Sequence, residues 1–191
     1  MITSELALPS NELRKPTRFF NGEEARKIIT LAPEPYRTMF AIAAMTGLRV
    51  GEVLGLQKGD LDFDRRMIHV KRSEWHGQIQ TVKSRASQAP VAMAEALATL
   101  LKEYLATWRA NPEEFLFLNR RKRPFNATKV VQLGLWPLLD KLRIKRAGMH
   151  AFRHCRASLL MDVRSKSNGH KRPDETLRRQ NYTWSLQPHH W

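Results

Sequence analysis

The feature that most constrains the fold of this chain is an apolar run at residues 36–56, YRTMFAIAAMTGLRVGEVLGL. Its first part would place apolar residues on every face of a helix, which predicts a helix buried in the core. Gly47 then interrupts the run and predicts a break. We expect a second, short helix over residues 50–56, so Arg49 lies at the junction of two helices.

The remaining pattern predicts a mainly helical fold of the α+β class with one small sheet. Asn21, followed by two acidic residues, is typical of a helix N-cap and predicts a helix that ends near Leu31. Helical spacing predicts further helices over residues 94–109, 127–142 and 150–163. Three short runs, MIHVKR, QIQTV and PVAM, alternate with turn residues and predict a three-stranded antiparallel sheet.

The net charge of the chain predicts a polyanionic partner. The sequence has 33 Lys and Arg against 18 Asp and Glu, a formal net charge of +15, which exceeds what solubility requires. The basic residues are spread through apolar-rich segments and are not gathered beside a membrane-like run. Nucleic acid is therefore the expected partner, and a generic basic surface is the alternative that composition leaves open.

Composition and local patterns also disfavour several classes of protein. The single cysteine, Cys155, excludes an internal disulfide framework and a cysteine-based zinc cluster. No apolar run reaches the length of a membrane span, and the start MITSELALPS lacks the features of a signal peptide, which predicts a cytoplasmic protein. Residues 164–191 have few aliphatic side chains and no sustained period, and predict a poorly ordered tail.

Four side chains that could bind a phosphate or transfer a proton lie at the boundaries of predicted helices or strands. Arg49 precedes Glu52 by three positions, so on a helix the carboxylate can fix the guanidinium. Lys83 ends a strand, while His150 and Arg153 share a face near a helix start, where phosphate is readily bound. Each pattern alone also fits an ordinary ion pair or a solvated surface. Together, two arginines, a lysine and a histidine could clamp a pentacoordinate phosphate.

Three segments resemble the signature boxes of the tyrosine recombinase, or phage integrase, catalytic domain: TGLRVGEVLGLQKGDLDFD, VKSRASQAPVAM and HAFRHCRAS. The resemblance covers about residues 16–163 in the family's order. It implies a mostly helical domain that cuts and rejoins double-stranded DNA through a covalent 3′-phosphotyrosyl intermediate, without a metal or other cofactor. It also implies DNA integration or another site-specific recombination of a mobile element, by a homotetramer on DNA.

The resemblance implies a role for each matching residue. Arg49 and Arg153 would hold the non-bridging oxygens of the scissile phosphate, with Glu52 supporting Arg49. Lys83 would protonate the leaving 5′-oxygen, and His150 would assist proton transfer and phosphate binding. His154 also matches its box, but we interpret it as structural. Other basic residues would follow the DNA backbone and give affinity with little sequence information: Lys71, Arg72, Arg85, Arg120, Arg121, Lys122 and Arg123.

The chain departs from the family's pattern after Arg153. The family has a further histidine motif and then the tyrosine nucleophile, for which this sequence offers His170 and Tyr182. His170 follows Arg153 by 17 positions, where the family usually has a few more, and Tyr182 follows by another 12, where it usually has fewer. A shifted reading frame would explain this. We therefore expect a linker remnant at residues 1–18 without the family's core-binding domain, a catalytic domain at 19–163 and an aberrant tail at 164–191.

The sequence leaves three candidate functions for the chain. The first is the catalytic domain of a recombinase, and the second is a non-catalytic DNA-binding remnant that keeps the basic cleft. They differ in whether Tyr182 acts as a nucleophile. The third, a metal-dependent nuclease, is disfavoured because the sequence has no carboxylate cluster near His150.

Overall fold

The computed structural model of the chain describes residues 18–81 and 90–153. The α-helices in these ranges are α1 (Gly22–Leu31), α2 (Tyr36–Thr46), α3 (Val50–Leu54), α4 (Glu95–Thr107), α5 (Ala127–Lys129) and α6 (Trp136–Lys141). The strands are β1 (Leu61–Asp62), β2 (Met67–Ile68), β3 (Arg72–Trp75), β4 (Gln78–Thr81) and β5 (Val91–Ala92). Residues 150–153 are also helical. The predicted fold class, mainly helical with a small antiparallel sheet, is confirmed.

Helix α1 begins where the sequence predicts it. The Asn21 side chain accepts a hydrogen bond of 2.8 Å from the Glu24 N–H, and the Glu24 carboxylate accepts one of 3.2 Å from the Asn21 N–H. This reciprocal capping box satisfies two N–H groups that the first turn would otherwise leave free. The helix then buries Ala25, Ile28 and Ile29 against the core.

Helix α2 lies at the centre of the core, as its apolar run predicts. Its buried residues include every position from Thr38 to Ala43. The Phe152 ring packs between the rings of Phe20, at 4.8 Å, and Phe40, at 5.6 Å. These aromatic contacts attach the helical turn at residues 150–153 directly to α2 and so fix its place in the domain.

The sheet is three-stranded and antiparallel, but its membership differs from the expected one. Its order is β1-β2-β5, so the first strand comes from the LDFD segment. The run MIHVKR is divided: Met67 and Ile68 pair within this sheet, while Arg72 opens the separate β3–β4 hairpin, which also contains most of the QIQTV run. The hairpin turns at His76 and Gly77, which both have positive φ.

The helix expected over residues 127–142 forms with an altered middle. A π-helical segment, Val130–Leu135, joins α5 to α6. Pro137 in the first turn of α6 has no N–H to donate to the carbonyl of residue 133, and a wider preceding turn relieves the clash that its ring would make there. Gly134 allows this segment to approach α2, because a Cβ at that position would overlap the Tyr36 ring. None of the helices in the described ranges is long and apolar enough to cross a membrane.

Candidate phosphate-binding site

Arg49 stands at the N-cap of α3, where it is fixed by Glu52. The Arg49 N–H donates to Glu52 Oε2 at 2.8 Å, and Arg49 Nη1 donates to Glu52 Oε1 at 3.0 Å. The Glu52 side chain is only 8% exposed, whereas that of Arg49 is 56% exposed. The buried carboxylate therefore holds one nitrogen of the guanidinium, and the rest of the group can bind an anion from solvent.

Arg153 reaches the same junction from the other end of the chain. Its Nη1 donates a hydrogen bond of 2.6 Å to the carbonyl oxygen of Gly47. Gly47 ends α2 in the left-handed conformation, with φ of 74°. Arg153 is thereby anchored two residues before Arg49, so the structure brings together the two arginines that the sequence assigns to one phosphate.

His150 lies in the helical residues 150–153, and its side chain is exposed. The two residues that separate His150 from Arg153, Ala151 and Phe152, are buried. The Ala151 carbonyl also accepts a hydrogen bond from the Phe20 N–H at 3.4 Å. These contacts hold the turn on the core, so His150 and Arg153 are presented on a fixed backbone, as their spacing of three predicts.

Four of the predicted site residues lie outside the described ranges: Lys83, Arg85, His170 and Tyr182. His154, which we interpret as structural, lies outside them as well. Strand β4 ends at Thr81, two positions before Lys83. The roles assigned to these residues stay predictions.

Gly51 in α3 and Gly55 at its C-cap set the distance between Arg49 and the β3–β4 hairpin, a role that the sequence reasoning missed. A Cβ at Gly51 would overlap the backbone carbonyl of Glu74, and one at Gly55 would lie 2.8 Å from the carbonyl of Arg72. The helix therefore rests directly on the backbone of β3. The sequence signal for this contact is the pair of small residues four apart, which share a helix face.

The buried Asp60 pairs with two of the predicted DNA-binding residues, the exposed Lys71 and the mostly buried Arg72. The buried Asp60 carboxylate lies 2.6 Å from Arg72 Nη2 and 3.1 Å from Lys71 Nζ. The Arg72 side chain is 22% exposed. Arg72 therefore has a structural partner already, and its predicted contact with DNA stays untested.

The four remaining predicted DNA-binding residues of the described ranges form an exposed group. In the part of the chain that the structure describes, none of these four makes a salt bridge: Arg120, Arg121, Lys122 and Arg123. They belong to a basic loop, residues 119–126, that Asn119 organises. Asn119 Oδ1 accepts hydrogen bonds from the N–H groups of Arg121, at 2.8 Å, and Arg123, at 3.2 Å.

A groove of about 470 Å³ separates the basic loop from the β3–β4 hairpin. His76 and Gly77 line it from the hairpin tip, residues 75–78, and its lining cations are Arg123 and Lys129. Its other lining residues are polar, aromatic or aliphatic, and none is a carboxylate: Tyr36, Asn119, Pro124, Phe125, Asn126 and Leu133. The groove is thus suited to an anionic ligand. Within residues 18–81 and 90–153, no group of three or more His, Cys, Asp or Glu side chains could hold a metal ion.

Residues 18–176 match the phage integrase family. The ICEBs1 integrase of Bacillus subtilis (strain 168) is 30% identical over 167 residues, which cover 78% of this chain and 44% of that protein. Tyrosine recombinase XerA of Thermococcus onnurineus is 31% identical over 147 residues, which cover 73% and 47%. The chain spans about half the length of these curated relatives.

Solved structures share the same fold. The Tn1549 transposon integrase in complex with a circular intermediate DNA superposes with a TM-score of 0.68 at 21% identity, covering 80% of this chain and 56% of that one. A crystal structure of XerA recombinase superposes with a TM-score of 0.61 at 22% identity, covering 86% and 54%.

Proposed function

Because the chain belongs to the phage integrase family of tyrosine recombinases, we propose that it is the catalytic domain of a site-specific DNA recombinase. The observation that carries the proposal is the attachment of Arg153 to the carbonyl of Gly47, beside Arg49 at the start of α3. Two guanidinium groups at one helix junction supply positive charge that stabilises a phosphodiester as it becomes pentacoordinate.

The backbone around these arginines suits a phosphate that must be held in one orientation. Arg49 is fixed through both its N–H and its guanidinium, and Arg153 is fixed by a carbonyl at the end of a buried helix. Such preorganisation lowers the cost of stabilising charge at the moment of reaction, since the donors need not reorganise. Arg49 and Arg153 would each donate to a non-bridging oxygen of the scissile phosphate.

The proposed reaction uses Tyr182 as its nucleophile. The Tyr182 hydroxyl would give its proton to His150 as its oxygen attacks phosphorus, a 3′-phosphotyrosyl bond would form, and the bond to the 5′-oxygen would break. The leaving 5′-oxygen would take a proton from Lys83. In the rejoining step, the 5′-hydroxyl of a partner strand would attack the phosphorus and return a proton to Lys83, while the Tyr182 oxygen would leave and take its proton back from His150.

Double-stranded DNA is the proposed substrate, and the basic loop is its proposed backbone contact. The four cations of that loop are exposed and make no described salt bridge, in contrast to Arg72, which is paired with Asp60. Contacts of this kind neutralise phosphates and give affinity that falls steeply with salt. The Tn1549 integrase is described as a complex with DNA, which supports the same partner here.

A second candidate function is DNA binding without cleavage. It is favoured by one observation, the spacing that places His170 and Tyr182 away from the family's pattern. A chain with the arginine pair and the basic loop, but without a well-placed tyrosine, would bind DNA phosphates and leave them intact.

A nicked duplex that loses a short leaving strand distinguishes the two candidates, since cleavage then traps a covalent protein–DNA adduct. We expect salt-sensitive duplex binding and a weak adduct that disappears in Tyr182→Phe, because displacing a nucleophile by about 1 Å can cost on the order of a hundredfold in rate. Duplex binding with no adduct at all would favour the second candidate. A strong adduct that disappears in Tyr182→Phe would establish the recombinase and overturn our interpretation of the tail. Absence of duplex binding by the parent protein would contradict both candidates.

A further inference from the structure

Glu74 is a buried carboxylate to which the proposed reaction gives no role. It lies on β3 with 5% of its surface exposed. No arginine or lysine forms a salt bridge with it among the described residues. Its two oxygens instead accept hydrogen bonds from backbone N–H groups, Oε1 from Gly77 at 2.5 Å and Oε2 from Ala127 at 3.3 Å. Burying an unpaired carboxylate is costly, and charge-assisted hydrogen bonds offset this cost.

The two N–H donors belong to two segments that both line the groove: Gly77 lines it itself, and Ala127 follows the lining residue Asn126. Gly77 belongs to the hairpin tip, whereas Ala127 is the first residue of α5, directly after the basic loop. Glu74 therefore bridges two segments whose contact joins residues 53 positions apart. Since Gly77 and Asn126, the neighbour of Ala127, both line the groove, the bridge constrains the distance between the hairpin tip and the segment that carries Arg123 and Lys129.

We propose that Glu74 is a positioning residue for DNA backbone binding: its carboxylate holds the hairpin tip and the basic loop in the spacing that lets both contact one DNA duplex. Glu74 is too buried to touch the DNA and acts through the two segments that it joins. The inference rests on the proposed function, because it takes duplex DNA as the ligand.

Glu74→Gln tests this proposal because net charge alone predicts tighter DNA binding by the variant, whereas the proposal predicts weaker binding. The substitution raises the formal net charge from +15 to +16 and would on that ground tighten DNA binding. Positioning predicts weaker binding, since the Gln amide presents an NH2 group to one of the two N–H donors. Removal of one protein–phosphate interaction lowers affinity about eightfold in roughly 0.1 M salt and lowers the slope of log K against log salt by about one.

Glu103→Gln is the matched control. Glu103 is exposed on α4 and makes no salt bridge in the described structure. The control variant carries the same charge change as Glu74→Gln but leaves the buried hydrogen bonds intact. We expect its affinity for duplex DNA to be unchanged or slightly higher, with an unchanged salt slope.

Ala127→Pro tests the same bridge without any change of charge. Proline is favoured at the first position of a helix, and Asn126 before it already has the extended backbone, φ of −86° and ψ of 131°, that a residue before proline requires. The variant removes only the N–H that Glu74 Oε2 accepts. We expect it to weaken duplex binding and lower the salt slope, as Glu74→Gln does.

The measurements are duplex affinities across a salt series, at a temperature where each variant is folded by circular dichroism. Weaker binding by both variants but not by Glu103→Gln supports the proposal. If the parent binds duplex DNA and Ala127→Pro binds it equally well or more tightly, the role of Glu74 is overturned and the proposed function stands. If the parent itself does not bind duplex DNA, the proposed function fails and the role of Glu74 fails with it.

Discussion

Arg153 donates a hydrogen bond of 2.6 Å from its guanidinium to the carbonyl oxygen of Gly47. The left-handed backbone at Gly47 ends α2, where the carbonyl groups of a helix carry partial negative charge and favour a cation. Arg49 follows two residues later and is held by Glu52. One junction between two helices therefore fixes both arginines, each through a different acceptor.

Gly47→Ala is expected to weaken this junction. A φ of 74° is strained for any residue with a Cβ, so the substitution should cost about 1 kcal/mol of unfolding free energy. It should also turn the carbonyl away from Arg153. Thermal unfolding with and without orthovanadate, which adopts the pentacoordinate geometry of a phosphate in reaction, measures both effects, and the vanadate-induced rise in Tm should shrink.

Gly59→Ala is the control for that experiment, because a Cβ at Gly59 meets nothing within 4 Å and no positive φ is required there. It should leave both the Tm and the vanadate effect as in the parent. A Gly47→Ala protein with a full vanadate effect would show that Arg153 does not depend on the Gly47 carbonyl.

Arg49→Lys is expected to impair phosphate binding although it keeps the charge. A single ammonium cannot bind Glu52 through one nitrogen and present another to an anion, as the guanidinium can. Loss of one hydrogen bond between charged groups corresponds to about a tenfold to hundredfold weaker vanadate affinity. Arg26→Lys, at an exposed position of α1, should bind vanadate like the parent. Equal affinity of Arg49→Lys and parent would exclude Arg49 from the site.

Local sequence patterns predict the parts of this structure that depend on neighbouring residues. The cap at Asn21, the buried helix α2 and the Arg49–Glu52 pair are of this kind, since each is decided within about one turn of helix. The contact between Arg153 and Gly47 joins residues 106 positions apart, and its residues carry no local signal of it. Only the family resemblance indicated that the two boxes meet.

The distinction between paired and free cations also depends on tertiary structure. Arg72 and Arg121 look alike in the sequence, each within a basic stretch, but Arg72 folds against the buried Asp60 and Arg121 stays exposed. The prediction that residues 67–72 form one strand is wrong for the same reason, since strand pairing depends on tertiary structure. The run at residues 67–72 alternates well enough for one strand, but the chain leaves the first sheet after Ile68 and pairs again from Arg72 in a second hairpin.

Arg121→Ala should therefore weaken DNA binding and leave stability unchanged, whereas Arg72→Ala should lower stability and leave DNA binding unchanged. Arg121→Ala is expected to lower the salt slope of duplex binding by about one and to leave the Tm unchanged. Arg72→Ala is expected to keep the slope and to lower the unfolding free energy by about 1–3 kcal/mol, because Asp60 loses a hydrogen-bonded partner in the interior. A salt slope that falls in Arg72→Ala would show that Arg72 leaves Asp60 to bind DNA.

Ionisation of Tyr104 makes the unfolding free energy of the protein depend on pH. Its hydroxyl donates to the Leu116 carbonyl at 2.8 Å, and its ring packs at 5.5 Å from that of Phe117. Burial raises the pKa of Tyr104 well above its ordinary value, and the nearby negative charge of Glu34 raises it further. The folded protein thus keeps the phenol protonated at pH values where the unfolded chain loses the proton, beginning near pH 10.

The sign of the effect follows from proton binding. Above about pH 10 the folded state binds more protons than the unfolded state, so the stability of the parent falls as the pH rises. Tyr104→Phe cannot ionise. Near neutral pH it should be about 1 kcal/mol less stable than the parent, because the hydrogen bond to Leu116 is lost. By about pH 11 the parent should have lost at most roughly 1.4 kcal/mol through this group, which reduces or erases the difference.

Urea unfolding of parent and Tyr104→Phe near neutral pH and near pH 11 tests this prediction. Other groups that titrate in this range, the lysines above all, contribute equally to both proteins and cancel in the difference. A difference in unfolding free energy that is the same at both pH values would mean that the Tyr104 phenol ionises as readily in the folded protein as in the unfolded chain. In that case its ring would have to be accessible to water, and the packing against Phe117 and the bond to Leu116 would not persist in solution.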